Sequence, residues 1–544
     1  MTGSTTEERG GPIARRAGFW VGLGLFALLL FAPQLIGLDL DGAQRRVAAV
    51  TALTATWWIT VTLPVGATSL LPAMLFPLLG VMTAKQCAPV YMNDLVMLFI
   101  GAFIIALGLE RWGVHRRVAL FIISKIGTSR RRIILGFMCA SAFLSMWINN
   151  TATTLLMLPI ALAVIARVES EGQGPDKKPY SETERQSFAI ALLLSIAYSA
   201  SVGGMGTPVG TAPNVEFLAQ FGARFPEGPK ISFGDWFIAW LPLVVLFVPL
   251  AWLLMTRVVY PMPAGSPEDD ARAAAVVHEE RISQGRMNRS QVRMSAIFIA
   301  TALLWVTRSD LNLGFAKMPG WSRLLMGSAA SDPAWYNAHK NDVSDSTVAT
   351  CMALLCFVLP SGTKKGEFLM DWRTAVRLPW DVLLLLGGGI CLARGFQVSR
   401  LDEVLGERIA PLFELGGGWA ASWLVVAGVI LFMSLLTEVT SNTATTAVLL
   451  PVIAKAAVAA KISPLLVMVP ATIAASAAFM LPVATPPNAV IFSSGRVSVP
   501  AMARAGPWFN ILMVVLITLV FQLWVRRVWG IDGDLPSWVP VDGG

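Results

Sequence analysis

Residues 145–159 read SMWINNTATTLLMLP, and residues 437–451 read TEVTSNTATTAVLLP. Aligned without a gap, Ser145 meets Thr437, Asn149 meets Ser441, Asn150 through Thr154 meet the identical Asn442 through Thr446, and Pro159 meets Pro451. Each copy sets small hydroxyl and amide side chains inside an otherwise apolar stretch. In lipid such groups are costly unless they are buried in protein or bound to a ligand.

The surroundings are those of a membrane protein. The 544-residue chain is 55% hydrophobic and 14% charged, with a mean hydropathy of +0.63. Many stretches are nearly free of charge and long enough to cross a hydrocarbon core of ~30 Å. The formal net charge of +8 sits in short clusters between apolar runs, such as Arg130-Arg131-Arg132 and Arg526-Arg527. That distribution fits positive-inside anchoring and gives no pointer to nucleic acid. The five cysteines lack metal-ligand spacing and read as small hydrophobes, and the three histidines are scattered over different loops. The apolar run 19–36 has no clear cleavage site after it and reads as an uncleaved first span.

The duplication is wider than one phrase. Asp94 is followed by Gly101 and Gly108, and Asp381 by Gly388 and Gly395, at the same offsets of seven and fourteen. Downstream, PVGTAPN at 208–214 matches PVATPPN at 482–488. Three landmarks in one order define a two-fold internal repeat. The predicted organisation is an N-terminal tail and first span at 1–44, a first repeat at 45–258 and a cytoplasmic linker at 259–293. A second repeat follows at 294–525, with a long extramembrane loop at 308–345, and the C-terminal tail is 526–544. The loop reads as an extracytoplasmic cap or a variable insertion. About five crossings per repeat, an odd number, make the second repeat inverted, which sets broken segments face to face near the midplane.

Breaks at Asn150-Thr151 and Asn442-Thr443 expose helix N-termini, whose free N–H groups and positive dipole ends suit a carboxylate or sulfate oxygen. The freed carbonyls and side-chain oxygens suit Na⁺. Neither 133–166 nor 409–454 contains a Lys or Arg, so an anion bound at these turns is to be neutralised by dipoles and co-bound cations, unless a remote Arg such as Arg394 folds in. The bland alternative is that Ser, Thr and Asn only bridge helices, and the duplication argues against it. Glu438 is the one carboxylate in the two copies, as a functional group or as a structural partner. No nucleophile–base or metal constellation marks an intramembrane enzyme.

The paired Asn149-Asn150-Thr151 and Ser441-Asn442-Thr443, with the 482–488 motif, resemble the divalent-anion/sodium symporter family, whose hallmark is a Ser-Asn-Thr signature in each half. The likeness spans roughly 45–525. It implies an all-α polytopic membrane protein of two inverted repeats, with broken helices, two re-entrant hairpins and about 11 transmembrane helices. It also implies an elevator mechanism, a homodimer and a multi-pass place in a bacterial inner (plasma) membrane. The implied activity is Na⁺ symport of di- or tricarboxylates, with succinate, malate and fumarate favoured. A sodium-independent dicarboxylate exchanger or a sulfate transporter is the alternative. Carried over, one sodium site uses Ser145, Asn149, Asn150 and Gly210, and the other Thr437, Ser441, Asn442 and Ala484. The anion is held by Asn150, Thr151 and Thr211 and by Asn442, Thr443, Thr485 and Pro486. Na⁺ is the co-transported ion, and no organic cofactor is implied. Asn149, where the family has Ser, is the departure: its longer side chain carries an NH₂ donor that repels a cation.

Overall fold

The computed structural model describes residues 12–127, 129–170, 182–262, 277–312, 317–326, 342–413 and 419–540, with a few single residues between these ranges. Among the described residues it is helical apart from one two-residue strand pair, Leu311–Asn312 with Lys317–Met318. Among the described residues, seven helices are long and apolar enough to cross a membrane, and four shorter apolar helices accompany them.

Ten helices build and carry the site. In the first half these are α1 (Asp94–Arg111), α2 (Arg130–Ser145), α3 (Asn150–Ser170), α4 (Glu182–Gly203) and α5 (Ala212–Arg224). In the second half they are α6 (Trp380–Ser399), α7 (Trp419–Thr437), α8 (Asn442–Ala459), α9 (Pro464–Ala475) and α10 (Pro486–Ser493). The long uncharged stretch 133–166 is therefore two helices, parted at Met146–Asn149. Pro159 and Pro451 lie inside α3 and α8, which run on through them. The break belongs to the turn before each Asn-Thr, where a polar residue can start a new helix, and not to the proline.

The second landmark motif also resolves into a break. After α4 the chain makes one 3₁₀ turn at Gly204–Gly206 and an irregular stretch before α5 starts behind Thr211. After α9 it stays irregular from Ser476 until α10 starts behind Thr485. The uncharged stretch runs on past Pro482, yet the helix ends seven residues before that proline, at Ala475. Pro213 and Pro486-Pro487 sit in the first helical turns that follow, where a missing N–H is harmless.

The repeated glycines are contact points. A methyl built on Gly101 of α1 would lie 2.6 Å from the Ala349 carbonyl carbon, and one on Gly388 of α6 would lie 2.7 Å from the Ser69 oxygen. Removing the side chain lets backbones approach, as in membrane helix packing generally. These contacts cross between halves: α1 packs on the 345–358 helix, and α6 packs on the 65–68 and 71–78 helices. The short helices after the breaks cross as well. α5 of the first half packs on α8, α6 and α9, and α10 of the second packs on α3 and α4.

The described part of the linker docks on the amphipathic helix Val114–Ile126. Arg117 donates to the carbonyls of Gln284, Gly285 and Arg286, and Arg116 pairs with Glu280. The 308–345 loop is closed at its base, because Arg308 donates to Asp345 Oδ1 (2.5 Å) and to Val343 O (2.8 Å). Much of the loop lies outside the described residues.

Candidate functional site

The two copies of the opening phrase meet. A cavity of about 180 Å³ is lined by Asn149, Asn150, Thr151, Gly210 and Thr211 from the first half. Ser441, Asn442, Thr443, Ala484, Thr485 and Pro486 line it from the second. Phe99 and Phe103 of α1 and Val382 of α6 form an apolar sector. At ~30 Å³ per water this space holds about six waters, which fits a compact dicarboxylate. Among the described residues, none that lines it carries a charge. Four helix N-termini, those of α3, α5, α8 and α10, end in it. Their dipole ends, with the first-turn N–H groups of α3 and α8, supply the positive potential that no Lys or Arg supplies, while α10, which starts on Pro486-Pro487, contributes its dipole alone.

Each half holds its broken stretch with the same bonds. Asn214 Nδ2 donates to Gly204 O (3.1 Å) and Thr207 O (2.8 Å). Asn488 Nδ2 donates to Ala478 O (3.3 Å) and Leu481 O (3.1 Å). The offsets are identical, ten and seven residues back. Both asparagines are buried, and they brace the loop that carries Gly210-Thr211 or Ala484-Thr485. The sequence flags them as the last letter of the matched motif, although their role is structural. The inner hydroxyls also repeat: Thr154 bonds Asn150 O (2.8 Å) and Thr446 bonds Asn442 O (2.7 Å), back-bonds within their own helices.

The first cluster of oxygens is tight. One end of the Asn150 amide lies 2.6 Å from Ser145 Oγ and 3.2 Å from both Gly210 O and Ala200 O. As nitrogen it points its two N–H bonds among these three oxygens; as oxygen it completes a nest of four oxygens, the donor set of a hard cation. Gly204 forms the other wall: a methyl built there would lie 2.4 Å from Asn150 Oδ1 and 2.9 Å from Gly210 O. Gly204 and Ala200 are absent from the residue set expected from sequence, because only the folded break brings them to Asn150. In the second cluster Asn442 Oδ1 is buried without a hydrogen-bond partner, so it offers an acceptor to a ligand.

Two predicted ligands behave differently. Thr437 Oγ1 bonds back to Met433 O (2.9 Å) and Ser434 O (3.2 Å) inside α7 and does not line the cavity. Asn149 spends its side-chain oxygen on the Ala152 N–H (2.8 Å), capping α3. Ser441, in the matching place, makes no side-chain cap bond. The mismatch seen in the sequence is therefore a difference in what the side chain is already doing.

Glu438 resolves as a structural partner. Its carboxylate accepts N–H bonds from Phe479 (2.7 Å), Met480 (2.9 Å) and Leu481 (3.2 Å), and one from Asn510 Nδ2 (2.8 Å). It ties the α7–α8 turn to the unwound stretch behind α9. The first half does the same with opposite chemistry, since the Thr207 hydroxyl donates to Met146 O. Across the site, the hydroxyls of Thr211 and Ser476 lie 3.4 Å apart and join the two unwound stretches.

Paired turns, broken helices and an uncharged anion-sized cavity between two halves define a secondary transporter. The chain belongs to the family described as the sodium:sulfate symporter transmembrane region, whose model matches residues 17–531. It is 38% identical to the sodium-dependent dicarboxylate transporter SdcS of Staphylococcus saprophyticus, over 97% of this chain and 95% of that one. It is likewise 38% identical to SdcS of Staphylococcus aureus, over 94% of this chain and 91% of the relative. Among solved structures, MtrF of Neisseria gonorrhoeae, described within a class of antimetabolite efflux pumps, shares the fold. Its TM-score is 0.55 at 10% identity, covering 95% of this chain and 98% of that one. The chain is a membrane transporter and not an enzyme.

Proposed function

We propose that the protein carries C4 dicarboxylates such as succinate, malate and fumarate into the cell by sodium symport. The observation that carries this reading is the cavity where four helix N-termini meet without a single charged side chain. Dipole ends alone leave a divalent anion under-neutralised, and bound Na⁺ at the flanking oxygen clusters supplies the rest. The names of the SdcS relatives agree with both the ion and the substrate class. One sodium ion is assigned to Ser145, Asn150, Gly210 and the Ala200 carbonyl, with Asn149 contributing through its backbone at most. The other is assigned to Ser441, Asn442 and Ala484, with Thr437 supporting from behind. The anion is assigned to Asn150, Thr151, Thr211, Asn442, Thr443, Thr485 and Pro486.

An elevator movement in an inverted-repeat homodimer follows as part of the same proposal. All polar cavity residues lie on α3, α5, α8, α10 and the turns before them, whereas α1 and α6 contribute only Phe99, Phe103 and Val382. A carrier that shifts the polar group as one body across this apolar wall keeps its ligands together during the movement. Domain boundaries at 45–258 and 294–525, with 259–293 as linker, belong to this reading, as does a place in a bacterial plasma membrane. The capped Asn149 favours one further possibility, a weak first sodium site and exchange of one dicarboxylate for another.

The deciding measurement is uptake of labelled succinate into proteoliposomes under an inward sodium gradient. Uptake is expected with sodium and none with choline in its place. Uptake that persists in choline and requires internal dicarboxylate establishes exchange, and sulfate competing better than succinate overturns the substrate class. Thr443→Ala and Asn442→Ala are each expected to lose uptake while the protein accumulates normally. Wild-type rates in both variants would sink the site assignment. Asn149→Ser is expected to lower the sodium concentration that gives half-maximal uptake, read from the same assay.

A further inference from the structure

Glu216 stands inside α5, one turn after the cavity-lining Ala212-Pro213, and is fully buried. Its Oε1 accepts from Gln220 Nε2 (2.5 Å), and that amide also donates to Ala447 O of α8 (2.9 Å). Its Oε2 has no partner. The carboxyl lies flat against α6, because a methyl built on Gly389 would sit 2.4 Å from Oε1, 2.8 Å from Cδ and 2.9 Å from Oε2. We propose that Glu216 is a proton-binding site in the contact between α5 and α6, and that this contact closes only when the carboxyl carries its proton. The inference rests on the transport reading and on α5 moving relative to α6.

The charged and titratable groups on α5 and on the three helices packed against it are few. On α5, Arg224 pairs with Asp402. On α8, Lys455 pairs with Glu403 (3.3 Å). α9 has no titratable side chain. α6 carries Asp381, Cys391 and Arg394, and none of them bonds Glu216 among the described residues. An ionised carboxylate buried with no cation beside it is far more costly than a neutral acid, so the group takes up a proton instead. A metal cation would need a shell of oxygens and room to hold it. The close approach of Gly389 leaves neither, whereas a proton needs only Oε2.

A second cavity, of about 480 Å³, is lined by Leu218 and Ala219 of α5 and by Ile390 and Arg394 of α6, chain neighbours of Glu216 and Gly389, and its charged walls are Asp94, Lys230, Arg308 and Asp345. When α5 separates from α6, water from this side reaches Oε2. The O–H bond breaks, the proton passes to water, and the carboxylate is left solvated on the opened side. The second half has Val490 at the matching position, so this site stands outside the duplicated sodium and anion sites.

The sign follows directly. A carboxyl that must be neutral loses its proton as pH rises, so uptake falls several-fold from mildly acidic to alkaline pH at a fixed sodium gradient. Glu216→Gln keeps the shape and the neutral state, and its uptake is expected to lose that alkaline fall. Titration of succinate itself is common to both proteins, so the ratio of variant to wild type isolates the residue. Parallel pH profiles overturn the proposal. Should the variant fail to fold, infrared difference spectra of the wild-type protein carry the test. A protonated buried carboxyl band at neutral pH that disappears on alkalinisation supports the site, and no such band overturns it. The same spectra decide the question if the wild-type protein proves not to carry succinate at all.

Discussion

Gly204→Ala is expected to remove sodium-driven succinate uptake while leaving the protein folded in the membrane. The added methyl would lie 2.4 Å from Asn150 Oδ1, 2.9 Å from Gly210 O and 3.1 Å from Asn150 Nδ2. No unstrained position exists there, so either the amide swings out of the oxygen nest or the Gly210 carbonyl retreats. Overpacking of this kind costs about 1–3 kcal/mol, and that loss in binding corresponds to about 5- to 150-fold. The sodium concentration for half-maximal uptake is the sensitive readout, because the Asn150 nest is disturbed first. Gly222→Ala is the control: it lies in the neighbouring α5, and a methyl there would meet nothing within 4 Å. Uptake by Gly204→Ala with wild-type sodium dependence would remove the first oxygen cluster from the mechanism.

Glu438→Ala is expected to fail as a folded protein and not as a transporter with altered coupling. The carboxylate takes four donors, three backbone N–H groups of 479–481 and the Asn510 amide. Each buried donor left without an acceptor costs about 1–3 kcal/mol. Four together approach a whole-protein stability of about 5–15 kcal/mol. Glu438→Gln keeps one oxygen but brings an NH₂ toward N–H groups, so an intermediate melting temperature is expected. Size-exclusion profiles and thermal melts in detergent report both. A normal melt for Glu438→Ala with changed sodium dependence would make Glu438 a coupling residue after all.

The same residue marks where reading a sequence stops. A carboxylate in an apolar stretch is a functional suspect on composition alone. Three of its four donors are the N–H groups of 479–481, more than forty residues away, in a stretch as free of charge as the helix before it. Nothing local distinguishes a carboxylate that caps unwound backbone from one that binds a cation. Glu216 is the converse case. Two residues past a matched motif, it draws no attention from spacing, and its isolation appears only once α5, α6 and α8 close around it.

What the sequence determined by itself is the plan. Polar clusters are intolerable in lipid unless they face each other or a ligand, so two copies of one polar phrase already imply a shared site in a membrane carrier. The breaks before Asn150 and before Asn442 were legible because Asn and Thr favour caps and turns over continuous helix. The glycine offsets were legible because close helix contact in a membrane selects for a missing side chain. Tertiary structure decided which oxygens are free. It committed Asn149 to a helix cap, turned Thr437 back on its own helix, placed Gly204 and Ala200 beside Asn150, and gave Glu438 its donors. These outcomes depend on contacts between segments remote in the chain, where a hydrogen bond to one partner withdraws the same atom from every other.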